Sequence, residues 1–209
     1  MIVIRYPDPI CEILNRRDPD AYVSSLLESR LRDSIALPDG IDYSSLSSVI
    51  DRWTPWGKVR WIKSWFRRHE STFAAGTRLH FPLRSKYGCH MDDRGNVSFP
   101  WSTFLKRVSC VVKYVFHESA HLMLSRWDTY PALLALDKAF LSKWGYVDGV
   151  IGLSPVEYFA TTLSVEMLSR AAEYLGDGMR AQRLLRQQEK EEAKLRSLLR
   201  TFSETINER

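Results

Sequence analysis

The sequence predicts a mainly helical α+β fold with a small β-sheet near the middle of the chain. Apolar residues recur at spacings of three and four over most of the sequence, which is typical of amphipathic helices. Between about residues 76 and 99, short stretches with strand character replace this pattern, and turn residues separate them. Hydrophobic residues make up 44% of the 209 residues and charged residues 26%, as in ordinary globular proteins.

The N-terminal third is predicted to be helical. Residues 19–35 have apolar side chains at helical spacing, with Asp18 as a possible N-cap. A second helix, over residues 54–70, begins with Thr54 as N-cap and Pro55 at the first helical position. The strand-like stretches that follow read RLHFPL, SKYGCHM and NVSFP, and the turn DDRG at 92–95 precedes the last one. They predict a small sheet or hairpin.

Helical periodicity returns at Ser102 and predominates in the rest of the chain, apart from a predicted loop, GYVDGVIGLSP. One apolar stripe is formed by Phe104, Val108, Val111, Val112, Val115, Ser119 and Leu122. Further helices are predicted over residues 132–143, from Pro155 onward, and from Met179 to the last residues. We therefore expect an N-terminal helical segment (1–75), a core (76–178) and a C-terminal amphipathic helix (179–209), packed as one compact domain.

The helix predicted over this stripe also carries a histidine pair with metal-ligand spacing. In VVKYVFHESAHLMLS, residues 111–125, His117 and His121 lie one helical turn apart on one face. That face is about 200° from Val115, so it differs from the packing stripe. Two imidazoles at this spacing can bind one Zn²⁺, and Glu118 can accept a proton from a water on the metal. The alternative is a helix with two surface histidines and a neighbouring acid.

The segment VFHESAHLML resembles the active-site helix of the zincin metallopeptidases, with the H-E-x-x-H motif at residues 117–121. The resemblance covers about residues 76–170. It implies a zincin-like domain that hydrolyses peptide bonds through a zinc-activated water, with Glu118 as general base. It also implies that the small sheet precedes this helix and that an edge strand holds the peptide substrate in an extended form. We match residues 1–75 and the last thirty residues to no zincin subfamily.

A third zinc ligand must come from further along the chain, because zinc hydrolases use three protein ligands. No histidine follows His121, and the sequence LMLSRWD lacks the Gly and His of the metzincin continuation. Resemblance to the gluzincin branch implies a glutamate on the next major helix. Glu157 fits best, because the small residues Ala160 and Thr161 follow it and permit a close approach of helices.

Other roles and other residues remain open at this position. Ser154 and Glu157 also form a capping box, in which the carboxylate would bind backbone N–H groups. The remaining acidic candidates are Glu166, Asp128, Asp137 and Asp148. A residue that stabilises the oxyanion is also expected, and the sequence does not rank the candidates Tyr130, Tyr146, Tyr158, His80 and His90.

The helix at 54–70 suggests a different function. Six Lys or Arg residues lie between Asp51 and Glu70, interleaved with four Trp and one Phe. Such a surface could bind nucleic acid or an anionic membrane. Val59, Ile62 and Phe66 are at helical spacing, however, which favours packing on the core. The alternative functions are therefore a catalytically inactive zincin-like binding module that contacts nucleic acid through this helix, or a purely structural helical protein.

Cysteine usage and the N-terminal sequence indicate the compartment. Cys11, Cys89 and Cys110 are odd in number and far apart, so they predict free thiols in a reducing cytoplasm. The N-terminus lacks the pattern of a signal peptide, and no apolar run is long enough to span a membrane. The net charge of +5 permits an acidic partner but does not require one.

Overall fold

The computed structural model describes residues 37–38, 40–47, 54–73, 76–92, 94–127, 130–144 and 151–207. The helix predicted over residues 19–35 lies outside the described residues, as do the candidates Asp128, Tyr146 and Asp148. Trp53 and Arg52 of the basic aromatic segment also lie outside them. No described helix is both long and apolar enough to cross a membrane.

Six α-helices and three short strands follow one another in the described part of the chain. The helices are α1 (Pro55–Arg68), α2 (Trp101–Phe104), α3 (Val108–Leu124), α4 (Tyr130–Trp144), α5 (Pro155–Leu175) and α6 (Met179–Asn207). The strands are β1 (Leu79–His80), β2 (His90–Met91) and β3 (Val97–Ser98). The chain is mostly helical with a small sheet, as predicted from the sequence.

The sheet has the order β1-β3-β2, so β3 is central. β2 and β3 are antiparallel, with His90 opposite Ser98, and the turn predicted at 92–95 connects them. Gly95 has φ of 75° in this turn, a conformation that residues with a Cβ rarely adopt, and its N–H donates to the carbonyl of Asp92. β1 pairs with β3 in parallel, which a hairpin prediction does not include.

The chain divides into two compact units. The larger unit, residues 37–127 and 160–191, has a core of large aromatic side chains between α1 and α3. Trp65 of α1 is fully buried, and its ring lies 5.0 Å from the ring of Phe116 on α3. The Trp65 indole N–H donates to Ser119 Oγ over 3.0 Å, so a buried hydrogen bond links the two helices. These contacts fix the position of α3.

The predicted packing of the basic aromatic helix is confirmed. Thr54 caps α1 by accepting the N–H of Gly57, and Pro55 occupies its first position, as predicted. Val59, Ile62 and Phe66 are buried, as predicted from their spacing. Trp61 and Trp65 are buried too, so they cannot stack on bases, whereas Trp56 remains 64% exposed.

The prediction that the chain is helical from Ser102 onward is wrong between α2 and α3. The chain leaves the helical conformation at residues 105–107, although no Gly or Pro lies there. The buried Lys58 of α1 explains the break, because its ammonium donates to the carbonyls of Phe104 and Lys106, each over 2.6 Å. A basic residue of α1 therefore stabilises the break between α2 and α3.

In the described part of the chain, the smaller unit comprises residues 130–144, 151–159 and 192–207. Within it, Phe140 of α4 and Leu153 are almost completely buried. The turn at residues 151–153 lies against α6, since a Cβ at Gly152 would meet Leu198 Cδ1 at 3.1 Å. The three predicted segments 1–75, 76–178 and 179–209 stay a prediction.

Candidate metal centre

Helix α3 carries the H-E-x-x-H residues, and most of its side chains are buried. Val111, Val112 and Val115 are completely buried, as the predicted stripe requires. Burial extends beyond the stripe, because nearly every residue from 118 to 124 is also inaccessible to solvent. The interpretation as a helix with two exposed surface histidines does not fit this environment, since His121 is 6% exposed and His117 is half-buried.

The two imidazoles converge on one point. His117 Nε2 and His121 Nε2 lie 3.2 Å apart, and the ring planes are nearly perpendicular, at 89°. Two nitrogen ligands of a tetrahedral zinc are separated by about 3.3 Å when each metal–nitrogen distance is about 2.0 Å. A hydrogen bond between two neutral rings would have a similar length. The spacing therefore fits a shared ion and also a shared proton.

The carboxylate of Glu157 lies near the two imidazoles. Among the described residues, the ligand atoms of His117, His121 and Glu157 all lie within 4.8 Å of one another. Glu157 is in the first turn of α5, which continues to Leu175. Two imidazoles and one carboxylate are a common donor set for catalytic zinc.

The start of α5 has other acceptors for its backbone N–H groups. The Ser154 N–H, which a capping-box glutamate would bind, donates to the carbonyl of Ile151 over 3.1 Å. The Val156 N–H donates to Asp137 Oδ1 of α4 over 3.0 Å. Asp137, a weaker ligand candidate in the sequence, thus accepts a hydrogen bond at this helix terminus. A capping role for Glu157 is not needed at these two groups.

Glu118, the predicted general base, is buried on the same helix at 2% exposure. It lies near the loop that precedes β2. Burial raises the pKa of the Cys89 thiol to about 11, and the negative charge of Glu118 contributes to this increase. β2 is an edge strand of the sheet and contacts α3, so the structure places a strand edge beside this helix.

The remaining candidates lie elsewhere or have other contacts. Glu166 forms an ion pair with Arg170 one turn along α5, at 2.5 Å. His80 is exposed, and His90 Nδ1 lies 3.1 Å from the carbonyl of Gly88. Tyr158 is buried, with its ring 5.6 Å from that of Phe159. Neither of these histidines belongs to the ligand group.

Two residues that form hydrogen bonds to the helices of the candidate metal centre, Trp65 and Asp137, were not predicted from the sequence to do so. The indole N–H of Trp65 donates to the hydroxyl of Ser119, the residue that follows Glu118 on α3. Asp137 holds the first turn of the helix that carries Glu157. The sequence indicated only that Trp65 lies among the apolar residues of α1. It did not indicate the hydrogen bond of Asp137, because the partner of Asp137, Val156, is 19 residues away.

Comparison of the chain with protein-family models, curated proteins and solved structures finds no match in any of the three. The zincin resemblance therefore depends on residues 117–121 and stays a prediction.

Proposed function

We propose that the protein is a zinc-dependent metallopeptidase of gluzincin type. His117, His121 and Glu157 hold the ion, and Glu118 is the general base. The observation that carries the proposal is the convergence of two imidazoles and one carboxylate within 4.8 Å, next to a buried glutamate on the same helix. Glu157 is 36 and 40 positions from the two histidines in sequence, so helix periodicity alone does not bring its carboxylate to the imidazoles.

Each residue has a defined task in this proposal. A zinc ion bound here supplies Lewis acidity, which lowers the pKa of a water and polarises the scissile carbonyl. Glu118 takes the proton of the attacking water at a carboxylate oxygen and passes it to the leaving amine as the C–N bond breaks. The buried surroundings of α3 favour this chemistry, because electrostatic interactions are stronger where water is excluded.

Glu118→Gln tests the assigned role, because it keeps the shape of the side chain and removes the base. We expect the variant to retain zinc and to hydrolyse a fluorogenic peptide library about hundredfold more slowly or worse. His117→Ala should lose both zinc and activity, whereas His80→Ala, at an exposed histidine outside the ligand group, should lose neither. Undiminished hydrolysis by Glu118→Gln would contradict the proposal.

The same experiment separates the alternative functions. A wild-type protein that binds zinc and hydrolyses nothing would favour the inactive zincin-like binding module. A folded protein that binds no metal would favour a structural role. The nucleic-acid interface on α1 has little support, because the aromatic rings it would need for stacking are mostly buried.

A further inference from the structure

Three segments of the larger unit that meet at α2 carry exposed apolar side chains and positive charge. The apolar residues are Trp56, Leu83, Tyr87 and Leu105, which are 64%, 82%, 73% and 71% exposed. The cations are Arg84, Lys86, Lys106 and Arg107, all exposed. We call these eight residues the α2 surface, because the segments that carry them meet at α2. Large apolar side chains this exposed usually mark an interaction site when they lie together.

Contacts of α2 hold the three segments together. The Trp101 ring lies 5.0 Å from the ring of Trp56, and the Trp101 N–H donates to the carbonyl of Pro82 over 2.9 Å. The loop after Pro82 returns to α2 at Cys89, whose Sγ lies 3.2 Å from Thr103 Oγ1. This loop carries Leu83 and Tyr87, so both exposed side chains belong to a segment attached to α2 at two points.

Leu105 is held at the other end of α2. The ammonium of Lys58 binds the carbonyls of the residues before and after it, Phe104 and Lys106. Its side chain nevertheless points to solvent. The helix break at residues 105–107 therefore presents an apolar side chain beside two cations, Lys106 and Arg107, and a buried lysine stabilises this geometry.

Among the described residues, no carboxylate is paired with the cations of the α2 surface. The sequence has no acidic residue between positions 71 and 91 or between 94 and 117. Lys106 instead donates to the Tyr114 hydroxyl over 2.8 Å. The surface is therefore complementary to a negatively charged partner.

We propose that the α2 surface binds an anionic lipid bilayer. The aliphatic side chains of Leu83 and Leu105 would enter the boundary of the acyl chains, and Trp56 and Tyr87 would lie at the headgroup level. The cations would contact lipid phosphates. A single-stranded nucleic acid is the less suitable partner, because base stacking uses aromatic faces and gains little from exposed leucines. This proposal does not depend on the metal centre.

Sedimentation of the full chain with vesicles tests this proposal. We expect binding to phosphatidylcholine vesicles that contain about 30% phosphatidylserine, weak binding to pure phosphatidylcholine, and a marked loss of binding when the ionic strength rises from about 0.1 to 0.5 M. Arg84→Gln with Lys86→Gln should weaken binding about 25-fold, at about fivefold for each cation. Leu83→Glu with Leu105→Glu should weaken it about tenfold or more.

Met179→Glu is the matched control, because Met179 is 72% exposed, as Leu105 is, but lies at the start of α6 outside the α2 surface. It should bind vesicles as the wild type does, with far-UV circular dichroism showing that all variants are folded. Equal binding of neutral and anionic vesicles would overturn the proposal, as would wild-type binding by the double glutamate variant. Salt-sensitive binding of an oligonucleotide without binding of vesicles would assign the surface to nucleic acid and overturn it too.

Discussion

Replacing Trp65 with alanine should strongly destabilise the protein, whereas the same change at Trp56 on the same helix should not. Trp65 is completely buried, and truncating a buried Trp to Ala costs about 3–5 kcal/mol. The lost hydrogen bond to Ser119 adds about 1 kcal/mol, so we expect a decrease of about 4–6 kcal/mol in the free energy of unfolding. Trp56→Ala removes mainly one edge contact with Trp101, and we expect less than about 1 kcal/mol.

The assay is urea unfolding followed by far-UV circular dichroism, which avoids the change in Trp emission that the substitutions cause. Because a loss of 4–6 kcal/mol approaches the whole stability of many domains, Trp65→Ala could unfold the protein, and Trp65→Phe is therefore measured as a less destabilising variant. Combined with Ser119→Ala in a double-mutant cycle, it should give a coupling energy of about 0.5–1.5 kcal/mol. Similar losses for Trp65→Ala and Trp56→Ala would refute the packing argument, and a coupling near zero would refute the hydrogen bond.

Two further predictions concern buried titratable groups. Burial lowers the pKa of His69, whose neutral ring accepts the Asp42 N–H at Nε2, 2.9 Å away. The folded chain therefore binds a proton at His69 more weakly than the unfolded chain does. The contribution of neutral His69 to the free energy of unfolding is complete above about pH 6.5, and it is lost as the pH falls through the pKa of His69 in the folded state. His69→Gln should reduce this acid sensitivity in urea unfolding at several pH values, and an unchanged pH dependence would contradict the prediction. Lys58→Met should cost about 2–4 kcal/mol, because it leaves the carbonyls of Phe104 and Lys106, one buried and one partly buried, without their donor. Lys63→Met, at an exposed position on the same helix, should change the stability by less than about 0.5 kcal/mol. Equal effects of the two substitutions in thermal unfolding would contradict the role of Lys58.

Local features of the chain could be predicted from the sequence because their causes lie within a few residues. The side chain of Thr54 and the fixed φ of Pro55 start α1, and the valines at helical spacing define the buried side of α3. The turn at 92–95 follows from Gly95, which supplies the positive φ. The histidine pair follows from helical geometry alone.

Features that depend on distant residues could not be predicted in this way. The break between α2 and α3 has no local signal, since Lys58, 46 residues before Phe104, stabilises it. The parallel pairing of β1 with β3 joins segments that the hairpin pattern does not connect. Sequence spacing favoured Glu157 as the third ligand but left the other acids open. Only the tertiary arrangement shows that Glu166 pairs with Arg170, whereas Glu157 is grouped with the two histidines.

The zinc content of two matched glutamine variants of α5 tests the central claim most directly. Wild-type protein and Glu166→Gln should each retain about one zinc per chain after dialysis, measured by inductively coupled plasma mass spectrometry. Glu157→Gln removes the carboxylate beside the imidazoles and should weaken zinc binding about hundredfold or more in a competition with a chelator. Folded wild-type protein without zinc, or equal zinc affinity in the two variants, would contradict the metal centre proposed here.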